Sequence, residues 1–130
     1  MTITANDIQE LVDFLPIFYV PEFQPIEKWN FKNPDGTSIA PYPIYTESVE
    51  HFFRLASKSC WFVSVSKRFD SKILEDGKFI NNASLKEIKI MLDYFLRAER
   101  YCDGFWASLI KDGTICALLE RLKEIKKEYR

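Results

Sequence analysis

Apolar residues recur at helical spacing in several separate stretches of the chain, and each stretch predicts a helix. The first opens with Thr4 and Asp7, spaced as in a capping box, and its apolar positions continue to Leu15, where Pro16 ends the pattern. The second follows Thr46, a suitable N-cap residue. Its apolar residues form one stripe on a helix: Val49, Phe52, Phe53, Ala56 and Cys60.

The second half of the chain contains three more helical patterns. Ser84 and Glu87 have capping-box spacing and precede a wide apolar face, which predicts a long helix to about Tyr101. Asp103 is the predicted N-cap of a shorter helix, and Gly113 suits the left-handed position that ends it. The last helix turns one apolar side inward: Ile115, Leu118, Leu119, Leu122 and Ile125.

Between the first two helices the pattern alternates instead. Over residues 27–32, Trp29 and Phe31 share one face and polar residues occupy the other, which is typical of a half-buried strand. The Asn-Pro-Asp-Gly sequence at 33–36 fits a type I turn, so we predict a hairpin that returns through residues 38–39.

Two segments give other expectations. Pro41-Tyr42-Pro43 lacks two ladder donors, so we expect an extended segment in which sheet pairing has stopped. Trp61 to Ser66 alternates and is a candidate third strand, whereas residues 67–82 show little periodicity.

Together these elements predict an α+β fold: a mostly helical single domain with about five helices and a small antiparallel β-hairpin. The chain has 130 residues, of which 47% are hydrophobic and 15% aromatic, and this is enough for one core and excludes a disordered chain. No apolar run approaches the roughly 18 residues of a membrane span, and no signal-peptide pattern opens the chain. The three cysteines include no C-x-x-C pair, which indicates reduced thiols and a cytoplasmic protein.

Charge makes nucleic acid an unlikely partner. The 18 Lys and Arg residues against 19 Asp and Glu give a net charge of −1 and a pI of 5.9, whereas a sequence-independent nucleic-acid binder has a pI above about 9. Basic residues do gather in the last helix. Weak nucleic-acid binding through this basic C-terminal helix is therefore the third functional hypothesis.

Glu99 is out of place in the pattern, because helical projection puts it between Leu92 and Phe95 in the middle of the apolar stripe. A buried carboxylate must be paired, hydrogen-bonded or protonated, since an isolated buried charge is costly. A structural ion pair between two helices is the simpler interpretation. Its candidate partners are Arg54, Arg68, Arg100 and Arg121. The alternative is a ligand contact or proton acceptor that lines a pocket.

Glu99 also begins the sequence Glu-Arg-Tyr-Cys-Asp-Gly at residues 99–104. With Leu119-Glu120-Arg121-Leu122, and with Pro41-Tyr42-Pro43 ahead of the Phe52-Phe53 helix, this sequence resembles an uncharacterised family of small bacterial proteins, a domain of unknown function. In that family a Glu-Arg-aromatic-Cys-acidic-Gly motif precedes a short helix and a closing Leu-rich helix, here Ile115 to Leu122. The resemblance implies a single compact cytoplasmic bacterial domain, and it implies no reaction.

The motif residues are the candidate ligand site or structural clasp: Glu99, Arg100, Cys102, Asp103 and Gly104. Cys102 follows a predicted helix end, where exposed carbonyls and the neighbouring Asp103 disfavour a thiolate, so we predict a buried, inert thiol there and at Cys116. Asp103 and Gly104 have a local explanation as cap and turn. No catalytic residue is assigned.

The only histidine, His51, is predicted to point away from the apolar stripe of its helix. One histidine and three scattered cysteines lack the paired spacing of a zinc site. The sequence also contains no nucleotide-binding glycine loop and no hydrolase motif. We therefore expect neither a metal nor a cofactor.

A second apolar cluster, Ile90, Tyr94 and Tyr101, projects to the far side of the long helix. A helix with two apolar faces is either sandwiched within the fold or exposed to a partner, so these residues are the candidate interface to a protein partner or a homodimer. The leading hypothesis is thus a non-enzymatic cytoplasmic protein-interaction or regulatory module. The alternative is a small-molecule binder or enzyme with a polar cleft around Glu99, Arg100 and Asp103.

Overall fold

The computed structural model describes residues 2–63 and 79–129. In this part of the chain the α-helices are α1 (Ala5–Val12), α2 (Leu15–Phe18), α3 (Glu47–Ala56), α4 (Leu85–Ala98), α5 (Phe105–Lys111) and α6 (Thr114–Glu128). Short 3-10 helices lie at Ser59–Trp61 and Ile80–Asn82. Strands β1 (Ile26–Lys32) and β2 (Ser38–Tyr45) form a two-stranded antiparallel sheet. The predicted α+β class, mostly helical with one hairpin, is confirmed.

Helix α6 is the centre of the core. It packs against α1, α2, α4, α5 and the 3-10 helix Ile80–Asn82. Four of the five predicted inward residues are completely buried: Ile115, Leu118, Leu119 and Leu122. The fifth, Ile125, is half-buried against the same core. The apolar spacing of the last helix therefore predicted its buried side correctly.

The capping boxes at the starts of α1 and α4 are both present. The Thr4 side chain accepts from the Asp7 amide at 3.1 Å, and the Ser84 side chain accepts from the Glu87 amide at 3.1 Å. Pro16 does not end the first helix as predicted, because α1 already ends at Val12. Pro16 lies in the first turn of α2 instead, where a proline costs no helical hydrogen bond.

The hairpin turn forms as predicted. The Gly36 amide donates to the Asn33 carbonyl at 2.9 Å, as in a type I turn, and Gly36 follows with a left-handed φ of 91°. Pairing nevertheless continues through the two prolines, since Trp29 lies opposite Pro43. Pro41 lies at the irregularity in register between Asn30 and Lys32, and β2 is an edge strand of a two-stranded sheet; prolines are tolerated at both kinds of position. The expected end of pairing before Pro41 is wrong.

Helix α4 ends at Ala98, three residues earlier than predicted, and residues 99–104 form a turn before α5. The N-cap of α5 is Gly104, with a φ of 89°, and not Asp103. Gly113, after α5, has the predicted left-handed conformation. This early end of α4 takes Glu99 out of the helix and places the motif in a turn.

The candidate third strand is not present where the chain is described. Trp61 lies in a 3-10 helix, and neither Phe62 nor Val63 pairs with a strand. The rest of that prediction, residues 64–66, falls outside the described residues. Among the helices of residues 2–63 and 79–129, none is long and apolar enough to cross a membrane.

Candidate functional site

The Glu99 side chain links the hairpin to the start of α5. Its Oε1 accepts from the Tyr45 hydroxyl at 2.7 Å and from the Trp106 amide at 2.9 Å. Its Oε2 accepts from the Gly104 amide at 3.0 Å. The first amides of a helix have no partner within it, and a negative charge is stabilised at that end of the helix dipole. We call Glu99 and these three partners the Glu99 clasp.

The ion pair expected for Glu99 is not found among the described residues. Arg54 and Arg100 form no ion pair there, and Arg121 donates to the Ala83 carbonyl at 2.8 Å and pairs with Glu124 at 3.2 Å. Arg68 lies outside the described residues. The reason is positional: because Glu99 follows the end of α4, the nearest donors are the amides of the next helix.

Aromatic packing holds the clasp in place. The Trp106 ring stacks on Phe53 with centroids 4.1 Å apart, and its indole N–H donates to the Phe95 carbonyl at 2.8 Å. Tyr45 is buried, and burial together with its bond to Glu99 raises the pKa of its hydroxyl above the usual range. The hydroxyl therefore remains a donor to Glu99 at physiological pH.

Gly104 meets two requirements of the clasp. Its positive φ is one that residues with a Cβ adopt at a cost. The Trp29 ring of β1 also lies over it, 3.4 Å from where a Cβ would be. The hairpin thus contacts the turn at two points, through Tyr45 and through Trp29.

The remaining motif residues face solvent. Cys102 is exposed, so the prediction of a buried thiol is wrong there, because the turn after Ala98 carries it to the surface. Asp103 is also exposed and caps no helix. Cys116 is half-buried, and this burial raises the pKa of its thiol, which agrees with an inert cysteine.

A surface groove of about 570 Å³ adjoins the clasp. It lies between the end of α3, the 3-10 helix Ser59–Trp61 and the second half of α4, and we call it the α3–α4 groove. Its apolar lining is Ala56, Trp61, Phe62, Leu96 and Trp106. Its polar lining is Ser57, Lys58, Asp93, Arg97, Glu99 and Arg100. Glu99 and Arg100 of the motif therefore line a groove, whereas Cys102 and Asp103 are not part of it.

The sequence was compared with families of known proteins. A family model described as "Family of unknown function (DUF6508)" matches residues 3–128. The chain belongs to the DUF6508 family. The resemblance to an uncharacterised family is thereby confirmed, and the DUF6508 match extends over nearly the whole chain. No curated protein and no solved structure matches this DUF6508 chain.

The candidate interface of the DUF6508 chain is divided by the end of α4. Ile90 and Tyr94 are half-buried. The Tyr94 ring makes edge contacts with the rings of Phe95 and Phe105, with ring centroids 6.1 Å apart in each pair. Tyr101 lies beyond the helix and is 90% exposed. Helical projection does not apply to Tyr101, so the three residues do not form one helical face.

The hairpin of this DUF6508 chain carries three exposed aromatic residues. Trp29 is 40% exposed, Phe31 57% and Tyr42 42%. We call these three residues the aromatic arm. The alternation of β1 did place Trp29 and Phe31 on one face, and we interpreted that face as half-buried. In a two-stranded sheet too little of the core lies beneath the hairpin to cover it.

His51 is exposed, as predicted. Its ring makes an edge contact with the Phe14 ring, with ring centroids 5.6 Å apart. Within the described part of the DUF6508 chain, no group of three or more His, Cys, Asp or Glu side chains is arranged to hold a metal ion.

Proposed function

We propose that this DUF6508 protein is a non-enzymatic protein-interaction module of the bacterial cytoplasm and that it binds its partner through the aromatic arm. The observation that carries the proposal is the exposure of Trp29, Phe31 and Tyr42, which are 40–57% accessible on one hairpin. Exposed apolar patches on soluble proteins mark interaction sites, and Trp and Tyr are enriched among the residues that dominate binding energy.

The arm is aromatic on both of its faces. Asn30 donates to the Tyr42 hydroxyl at 2.6 Å, which places that pair on one face of the sheet. Trp29 and Phe31 alternate with Asn30 and so belong to the other. A hairpin with aromatic residues on both faces suits insertion into a cleft of a partner.

The contact between Trp29 and Gly104 supports the same role, because it holds the base of the arm against the folded body. A side chain that is already ordered loses less conformational entropy on binding. Phe31, two residues farther along β1, is more exposed and is the expected anchor in the partner.

The absence of an enzymatic role is supported by the state of Glu99. This carboxylate accepts three hydrogen bonds from protein groups, which suits a structural role rather than that of a general base. The three cysteines are all free thiols, and Cys102 is exposed, which suits a reducing compartment such as the cytoplasm.

A photo-crosslinking experiment tests the proposal. The photoreactive residue p-benzoylphenylalanine replaces Phe31 in one variant and Glu120, an exposed residue of α6, in the matched control. On irradiation in the native cells we expect a discrete product at position 31 that the control lacks. Excess unlabelled wild-type protein should abolish it, whereas a Trp29→Ser/Phe31→Ser variant should not. No product, or the same product from both positions, would overturn the proposal.

A further inference from the structure

We infer that the α3–α4 groove is a binding site for a small monocarboxylate with an apolar body. This inference is independent of the aromatic arm, since none of Trp29, Phe31 and Tyr42 lines the groove.

The size and lining of the groove suit a small molecule. Its volume of about 570 Å³ falls within the range of roughly 300–1,000 Å³ found for ligand pockets. Trp61, Leu96 and Trp106 supply an apolar surface, as such pockets require. Trp61 is only 2% exposed, and Trp106 is fixed by its stacking on Phe53 and its bond to the Phe95 carbonyl. The apolar surface is therefore formed before any ligand binds.

Most charges around the groove already have partners. Arg97 pairs with Asp93 at 2.8 Å. Lys58 pairs with Asp7 at 2.9 Å and with Glu10 at 3.0 Å, both on α1. Glu99, the second acidic residue of the lining, accepts three hydrogen bonds within the clasp. Both acidic side chains of the lining therefore already have partners in the protein.

Arg100 is the exception among the charged lining residues. Its guanidinium forms no ion pair within residues 2–63 and 79–129, and it lies on the edge of the groove. A guanidinium offers a planar pair of donors that fits a carboxylate, and such charge-assisted bonds are strong. Charge complementarity therefore favours an anionic group at Arg100 and an apolar body along Trp61 and Trp106.

The clasp explains how Arg100 is held at this edge. Glu99 precedes it in the chain and is fixed by three hydrogen bonds, and the Arg100 amide donates to the Arg97 carbonyl at 3.2 Å. The backbone on which Arg100 stands is thus ordered, while its side chain remains available to a ligand. This arrangement gives the Glu-Arg pair of the motif two separate tasks: Glu99 fixes the turn and Arg100 binds.

The test uses 4-phenylbutyrate as the probe and 4-phenylbutanamide as its uncharged counterpart. In ¹H–¹⁵N spectra of the full chain, the indole N–H signals of Trp61 and Trp106 report on the groove, and that of Trp29 is an internal control. We expect 4-phenylbutyrate to shift the first two signals and leave the third in place. The amide should bind about tenfold more weakly, because one charge-assisted bond is lost.

Two variants complete the test. Arg100→Gln should weaken 4-phenylbutyrate binding by about tenfold and leave binding of the amide unchanged. Arg54→Gln removes an exposed arginine that does not line the groove and should change neither affinity. The inference is overturned if millimolar 4-phenylbutyrate shifts neither groove tryptophan, if acid and amide bind equally, or if the two arginine variants behave alike.

Discussion

The Glu99 side chain caps α5, which has no capping side chain at its own N-cap position. The N-cap of α5 is Gly104, which has no side chain to cap the helix, and the neighbouring Asp103 is exposed. A carboxylate five residues upstream accepts from the Gly104 amide instead, and also from the Trp106 amide and from Tyr45 of β2. One residue thus caps a helix and attaches the hairpin.

Removal of this carboxylate should destabilise the fold. We expect Glu99→Ala to lower the free energy of unfolding by about 2–4 kcal/mol, because the Tyr45 hydroxyl and two amides lose their acceptor. Glu99→Gln, which keeps one acceptor oxygen but loses the charge, should cost about 1–2 kcal/mol. Urea denaturation at pH 7 measures both. The control Glu120→Gln on exposed α6 surface should stay within about 0.5 kcal/mol of wild type. An alanine variant as stable as that control would contradict a structural role for the clasp.

The sequence identified Glu99 as unusual but did not predict its partners. Side-chain periodicity carries no information on backbone amides, and these became the partners once α4 ended at Ala98. The same early end of α4 explains two further errors. Helical projection had placed Tyr101 on the helix, and the burial preference of cysteine had placed Cys102 in the core. An error of three residues in one helix boundary thus changed the environment of most of the motif.

At the level of elements, local signals predicted what local interactions determine. The capping boxes at Thr4 and Ser84 and the turn at Gly36 involve residues at most three positions apart, and all three are present. The failures at Pro16 and Pro43 concern positions where the surroundings decide whether a proline is tolerated. Exposure of the aromatic arm likewise depends on how many strands join the sheet.

The ion pair between Asp7 of α1 and Lys58, which follows α3, should make the free energy of unfolding depend on pH. Two hydrogen bonds lower the pKa of Asp7 from 3.8 to about 2. The bond from the Thr4 amide has the larger effect, and the bond from the Lys58 ammonium has the next largest. The folded protein therefore binds this proton at a lower pH than the unfolded chain does. Stabilisation by Asp7 is complete above about pH 4 and is lost as the pH falls through about 2.

The variant Asp7→Asn isolates this contribution. We expect it to be less stable than wild type by about 1 kcal/mol at pH 6, because the capping box and the bond to Lys58 are weakened. The difference should shrink steadily between pH 4 and pH 2, because wild-type Asp7 then becomes uncharged as well. Urea midpoints at half-unit pH intervals measure it. A difference that stays constant down to pH 2 would show that the charge of Asp7 does not stabilise the fold.

At the scale of the molecule, the clasp lies between the two proposed binding surfaces. Tyr45 ends the strand that carries Tyr42 of the aromatic arm, and Trp106 lines the α3–α4 groove. Both are hydrogen-bonded to the same Glu99 oxygen. A ligand that moved Trp106 would therefore disturb the attachment of the hairpin, so the two surfaces share one structural support.

The described elements should unfold as one cooperative unit, because α6 contacts most of the other helices and the Tyr129 hydroxyl after it donates to the Ile3 carbonyl near the N-terminus. Leu118→Ala removes a completely buried side chain from α6 and should cost about 2–5 kcal/mol. Circular dichroism reports helix content, and the fluorescence of Trp29, Trp61 and Trp106 reports on the hairpin and the groove. The two probes should give the same urea midpoint in wild type. The variant should lower both midpoints equally. Leu85→Ala, at a half-buried position on α4, is the milder control. Separate midpoints for fluorescence and circular dichroism would show that the hairpin or the groove unfolds independently of α6, and the single-domain prediction would then be wrong.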